Sequence, residues 1–160
     1  MKYIPLTQDK VALVSDEDYD RVMEHKWCAS WREDTRSFVA MSWIGGKPVY
    51  LHHFVLGLRG AARIDHVNHE TLDNQRENLR PATRSQNAAN MRKQTGTSSK
   101  YKGVCWPKHT RKWAAYIKVD YKRTHLGLYE TEDAAARAYD AAVLDAWGEF
   151  AQLNFPVGGA

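Results

Sequence analysis

Apolar residues in this chain come in short bursts broken by polar or glycine-bearing turns, until an alanine-dense helical run takes over near the end. Lys10–Ser15 reads as a short strand. Asp16–Lys26 carries Tyr19, Val22 and Met23 at helical spacing, with Ser15 or Asp16 as N-cap. The β-branched and aromatic stretches 27–31, 37–44 and 49–56 predict three strands, the last two joined by a tight turn at Gly45-Gly46. Arg84–Met91, with Ala88, Ala89 and Met91, predicts a helix. Segments 101–106, 113–119 and 123–129 alternate as three antiparallel strands, with turns near 107–112 and 120–122. Thr131 then caps a helix over 132–147, which keeps Ala135, Ala138, Tyr139, Ala142 and Val143 on one face.

Composition narrows the class. A hydrophobic content of 43% with six Trp excludes wholesale disorder in 160 residues, which suffice for one medium domain or two small ones. No apolar run approaches the roughly 20 residues that cross a bilayer, and Met1-Lys2-Tyr3-Ile4-Pro5 lacks a signal-peptide core. A cytoplasmic, non-secreted protein with no membrane partner is expected. Cys28 and Cys105 lie far apart and outside any C-x-x-C pattern, which argues against a disulfide framework and excludes a thiolate zinc ribbon. Met91–Lys100 lacks apolar periodicity and reads as a linker.

Charge is unevenly spread. Residues 80–126 hold twelve Lys or Arg against one acid, Asp120, so the remainder (11 bases, 18 acids) carries a net −7. A basic block interleaved with aromatics is the electrostatic footprint of phosphate-backbone binding, and duplex DNA is the expected partner.

The candidate chemistry lies just upstream. Ile64-Asp65-His66-Val67-Asn68 is followed by Asp73-Asn74-Gln75-Arg76-Glu77-Asn78-Leu79-Arg80 and Ser85-Gln86-Asn87. Hydrolysis of a phosphodiester needs a base near neutrality, as His66 can be, and oxygen ligands for a hard cation, as Asp65 and Asn87 can be. A strand ending at Asp65-His66, a return strand near Leu79-Arg80 and a helix carrying Asn87 would bring them together. A zinc site from His52, His53, His66 and His69 alone would lack thiolate support, and Asp73-Asn74 fits turn chemistry better than a ligand pair.

This segment, residues 50–90, resembles the HNH endonucleases of the phage and intron-encoded homing type, in the motif D-H-x-N, D-N-x-x-x-N-L-R, S-Q-N. The resemblance implies a ββα-metal fold and metal-dependent cleavage of duplex DNA. His66 is then the general base, and Asn78 orients it by holding the loop. Asp65 and Asn87 are ligands for Mg2+ or another divalent cation such as Mn2+, and Arg80 is a phosphate contact. His69-Glu70 departs from the family where relatives often have Gly. His52 matches a histidine of the preceding strand and is kept as a substrate or supporting contact.

Residues 101–156 resemble the APETALA-two/ethylene-response-factor DNA-binding domain. The resemblance rests on Tyr101-Lys102-Gly103-Val104, on 112–117 and on Leu126-Gly127-Leu128-Tyr129. It continues through the run 134–142 and Leu153-Asn154-Phe155-Pro156. It implies a three-stranded sheet whose exposed face enters the major groove. Lys102, Lys118, Arg123 and His125 stand at the family's reading positions. Lys108, Arg111 and Lys112 in the first hairpin turn would meet phosphate, and Trp106 and Trp113 would offer planar surfaces. Trp113 equally suits a core position under the helix. Cys105 and His125 replace the Arg and Trp usual in the plant proteins, so their recognition sequence does not transfer.

The expectation is an α+β chain: an HNH endonuclease domain with a strand-rich scaffold over 1–92, a linker over 93–100, and a sheet-plus-helix DNA-binding domain over 101–157. The leading function is a homing-type DNA endonuclease. The alternative is a cleavage-inactive, sequence-specific DNA-binding regulator. Nothing in the sequence assigns an oligomeric state.

Overall fold

A computed structural model describes residues 1–58, 62–93 and 96–156. Residues 59–61 of the HNH-like segment, Gln94 and Thr95 of the expected linker, and Val157 at the expected end of the second domain lie outside the described residues. The chain divides into two compact units, Met1–Ala82 and Thr83–Ala160.

In the first unit, β1 (Lys2–Pro5) pairs antiparallel with β2 (Val11–Val14). A 3-10 turn at Asp16–Asp18 leads into a short helix, α1 (Tyr19–Met23). Ser15 does not cap it; its hydroxyl accepts the Arg76 backbone N–H at 3.0 Å. The strands β3 (Cys28–Arg32), β4 (Ser37–Ile44) and β5 (Lys47–Tyr50) form an antiparallel meander, with Gly45 and Gly46 both at positive φ in the β4–β5 turn.

The expected strand 49–56 ends at Tyr50, and Leu51–Leu56 is a helix, α2. Leu51 and Val55, one turn apart, are both buried, and left-handed Gly57 closes the helix. Core burial at i and i+4 outweighs the strand preference of Val and Phe. Next come β6 (Ile64–His66), β7 (Asp73–Asn74) and β8 (Leu79–Pro81). β6 and β8 pair antiparallel, and β7 joins β2 in parallel. Ile4, Val14, Val22, Leu51 and Val55 form the core. The buried Trp27 satisfies its indole N–H on Val22 O at 2.8 Å.

The second unit opens with α3 (Arg84–Asn90), held by a capping box between Thr83 and Gln86. β9 (Val104–Cys105), β10 (Trp113–Val119) and β11 (Lys122–Tyr129) form an antiparallel sheet with β10 in the centre. α4 (Glu132–Trp147) is capped by the Thr131 hydroxyl. It lays Ala135, Ala136, Tyr139 and Val143 against Val104, Ala115 and Ile117. β9 is shorter than expected because Lys102 N–H is drawn to Asn154 Oδ1 (2.7 Å) and Gly103 adopts φ +75. Asn154 in turn donates to Lys102 O and to the buried Asp140 carboxylate, so the chain end is stitched to the start of the sheet.

α3 belongs with this unit. Ala89 packs into the cluster of Ile117, Tyr139 and Val143, and Ala89 O accepts the Gln152 N–H at 3.2 Å. The expected ββα-metal domain over 1–92 is therefore divided: its two strands, β6 and β8, sit in the first unit and its helix in the second. Burial of the Ala face of α3 against α4 and β10 decides this membership, and motif spacing does not reveal it.

Candidate nucleic-acid interface

In the first unit, the β6–β8 hairpin places Asp65 opposite Arg80 and His66 opposite Leu79. Asp65 is buried, and its Oδ2 takes Arg80 Nε at 2.9 Å and a terminal guanidinium nitrogen at 2.8 Å. Arg80 is thus tied to a carboxylate. The buried Asn78 accepts the Asn68 N–H (2.9 Å) and donates to Asp73 O (2.8 Å), spanning the loop between β6 and β7. His66 is buried, its ring edge-on to His52 at 5.3 Å. His69, in the left-handed region at φ +66, donates its N–H to His66 O. Asn87 lies on α3 of the second unit, where its carbonyl accepts the Met91 N–H. Among the described residues no group of three His, Cys, Asp or Glu side chains could hold a metal ion. The residues that are present do not fit a preformed magnesium site, because Arg80 already neutralises the Asp65 carboxylate.

Burial dominates the two imidazoles. It pushes His52 down to about 3, helped by charge repulsion from His66, His53 and Arg32. Burial also lowers His66, against the opposing pull of Asn74, Asp65 and Asp73. The His52 ring folds neutral. Between pH 6.5 and about 3 the unfolded chain binds a proton at His52 that the folded chain refuses, so acidification destabilises the first unit. At about 1.4 kcal/mol per pH unit, moving from pH 6.5 to 5 costs about 2 kcal/mol at His52. Urea unfolding at both pH values should show this loss, and His52→Gln should remove most of it. Equal pH dependence in the variant would exclude His52 as the source.

The second unit presents a different chemistry. Along β10, Trp113, Ala115, Ile117 and Val119 pack with the core beneath α4, so Tyr116 and Lys118 face the other way. Register places His125 across from Tyr116 and Arg123 across from Lys118. The Arg123 guanidinium lies 3.7 Å from the Tyr116 ring centroid, and the His125 ring is 4.9 Å from it. Lys118, Arg123 and His125 are exposed. Two planar rings and two cations thus share an open sheet face, an arrangement that can meet both phosphate and base edges. Tyr121, at positive φ in the β10–β11 turn, lies beneath Lys118 (5.7 Å) and Arg84 (5.8 Å).

The other expected contacts divide by position. Lys108 and Arg111 are exposed in the β9–β10 turn, whereas Lys112 pairs with Glu130 at 2.5 Å. Trp113 packs with the helix-side cluster and meets the exposed Trp106 edge-on at 4.9 Å. Lys102 is turned inward, its ammonium donating to Ala89 O (2.5 Å) and Met91 O (2.6 Å) at the end of α3. Burial lowers it to about 8. A DNA contact from Lys102 would have to break these bonds. Sequence reasoning missed Tyr116, although the alternation of β10 already puts it on the face of Lys118. It also missed Arg84, because α3 was read as part of the other domain.

Comparison with known proteins gives several relatives. A rice AP2/ERF and B3 domain-containing protein is 48% identical over 59 residues, 37% of this chain and 16% of the relative. An AP2-like ethylene-responsive transcription factor of Arabidopsis thaliana is 42% identical over 60 residues, 38% of this chain and 14% of the relative. The ethylene-responsive transcription factor WRI1 of Arabidopsis thaliana is 29% identical over 161 residues, 87% of this chain and 37% of the relative. The chain thus spans well under half the length of the curated relatives it matches. No protein-family model matches the chain.

The chain carries a partial likeness to AP2/ERF-type DNA-binding proteins, and its mixed α+β architecture with antiparallel sheets is consistent with that type. These relatives correct the enzymatic expectation: they bear the names of transcription factors and not of nucleases. The homing-type endonuclease reading, with its phage and mobile-element setting, is withdrawn on that finding. No helix among the described residues is long and apolar enough to cross a membrane.

Proposed function

We propose that the chain is a sequence-specific duplex-DNA-binding protein of the regulator class, which reads DNA with the open face of the β9–β11 sheet. The observation that carries this reading is the convergence of Tyr116, Lys118, Arg123 and His125 on the face opposite α4. A twisted sheet of this size enters the major groove, about 12 Å wide. Arg123, stacked on Tyr116, is held ready for bidentate donation, which costs less ordering on binding than a free arginine. In the first unit, Asp65, Arg80 and Asn78 act as a scaffold: a buried ion pair and a carboxamide clamp that hold the loop between β6 and β7.

The full chain should bind its preferred duplex with affinity that falls steeply with salt. Arg123→Ala should cost about 1–3 kcal/mol, a five- to 150-fold loss, and relax preference at one base position. Supercoiled plasmid incubated with the chain and magnesium should remain intact. Unchanged affinity in Arg123→Ala would remove the sheet face as reader. Plasmid cutting that disappears in His66→Ala would overturn the regulator reading.

A further inference from the structure

Two residues of the second unit are poor choices for their own backbone positions, and they meet. Asp120 and Tyr121 form the two-residue turn between β10 and β11, both in the left-handed region at φ +44 and +67. Hairpin turns with two positive φ values favour Gly at the second position, and an aromatic residue there is strained. Burial does not compensate Tyr121, which is 67% exposed. Arg84 opens α3, where a cation faces the positive end of the peptide dipoles. Its guanidinium nonetheless stands 5.8 Å from the Tyr121 ring centroid, and Lys118 of the open sheet face stands 5.7 Å from the same ring. Exposed Lys122 and Arg123 follow, against one acid, Asp120, within residues 118–123. Strain that local structure does not offset collects where a side chain acts outside the fold.

We propose that this hairpin tip is a second duplex contact, beyond the face that reads bases. Tyr121 lays its ring on a deoxyribose of one strand, and Arg84 donates to the phosphate beside it. The occupant is the DNA backbone because a ring flanked by cations matches an apolar sugar joined to anionic phosphates. The inference rests on the DNA-binding reading and adds to it that α3 takes part in binding through Arg84. Backbone contacts of this kind set register on the duplex and carry no sequence information.

The test uses the full chain, labelled duplexes over a range of salt, and thermal unfolding of the same samples. Tyr121→Gly is expected to leave the melting temperature unchanged or raised, because glycine accepts positive φ, while affinity falls about tenfold. Tyr121→Phe keeps the ring and should bind as the wild type does. Arg84→Gln should lower the slope of log affinity against log salt by about 0.9, equally on unrelated duplexes. Arg84→Lys keeps the charge and should preserve the slope. Lys47→Gln, which removes an exposed cation of the first unit, should also leave it unchanged. Wild-type affinity in Tyr121→Gly, with Arg123→Ala still weakened, would overturn the tip contact and leave the reading face standing. An affinity loss in Tyr121→Gly matched by a lower melting temperature would overturn it as well, since the residue would then be structural. So would a slope drop in Lys47→Gln equal to that in Arg84→Gln, which would be an effect of net charge. No binding by the wild type would defeat the DNA-binding reading, and the tip contact with it.

Discussion

Gly103→Ala is expected to unfold the second unit and abolish duplex binding while the first unit stays folded. A Cβ at this position would stand 1.9 Å from Tyr139 Cδ2 and 2.3 Å from Cε2. Tyr139 cannot retreat: it is buried at the centre of α4, packed against Ile117 and Val143. The backbone at φ +75 adds strain for any L-residue. Overpacking a core costs about 1–3 kcal/mol and a left-handed alanine about 1–2, giving roughly 4 kcal/mol together. A small module has few kcal/mol in hand, so this loss removes most of the folded population. Gly96→Ala separates the two contributions, because Gly96 also has positive φ but nothing within 4 Å of its Cβ; it should cost about 1 kcal/mol. Hydrogen exchange of β10, β11 and α4, read beside anisotropy with labelled duplex, measures both outcomes. Wild-type protection in the Gly103 variant would mean that Tyr139 has room the packing does not show.

The same glycine illustrates how much of the molecule was legible in its sequence. Alternation alone located β10 at its observed bounds, and Thr131 announced α4, because one face of each element is buried and the pattern records burial. β4 was legible for the same reason. α2 was not. Leu51 and Val55 are spaced for a helix, but the residues around them favour a strand, and only the core decides between them. The spacing of Asp65, Asn78 and Asn87 was also legible as a motif. What it could not convey was the company each side chain keeps: Arg80 on Asp65, the half-buried His52 beside His66, and α3 packed into the other unit. Lys102 shows the same limit, since a cation in a basic run looks like a DNA contact until three-dimensional packing gives it helix-end carbonyls. Tertiary partners are set by long-range contacts that local pattern does not encode.

The first unit has its own weak point at Asp18. This carboxylate is almost fully buried and accepts Arg21 at 2.7 Å and Arg76 at 2.8 and 2.9 Å. Both arginines also donate to Val55 O at 3.0 Å, so one acid joins the end of α2, the start of α1 and the 3-10 turn Arg76–Asn78. Burial by itself would raise the Asp18 pKa, but the hydrogen bonds and charges of Arg76 and Arg21 outweigh it and hold the group below the ordinary range. The stability it supplies is therefore complete above the unfolded value of about 3.9 and is lost as pH falls through the lower folded value. That window opens only below about 3.9, whereas the His52 effect begins at 6.5, so of these two only His52 contributes between pH 6.5 and about 4. Removing one partner of a buried pair costs about 3–5 kcal/mol; the arginine side chains here are near half-exposed and can rehydrate, which brings Asp18→Ala to about 3 kcal/mol. Asp18→Asn keeps the shape and one acceptor oxygen and should cost about half as much. Hydrogen exchange should report loss of protection in β2, α2 and the 76–78 turn, with duplex binding by the second unit retained. Equal losses in the alanine and asparagine variants would assign the effect to packing volume, and intact protection in both would show that the arginines hold this corner without their acid.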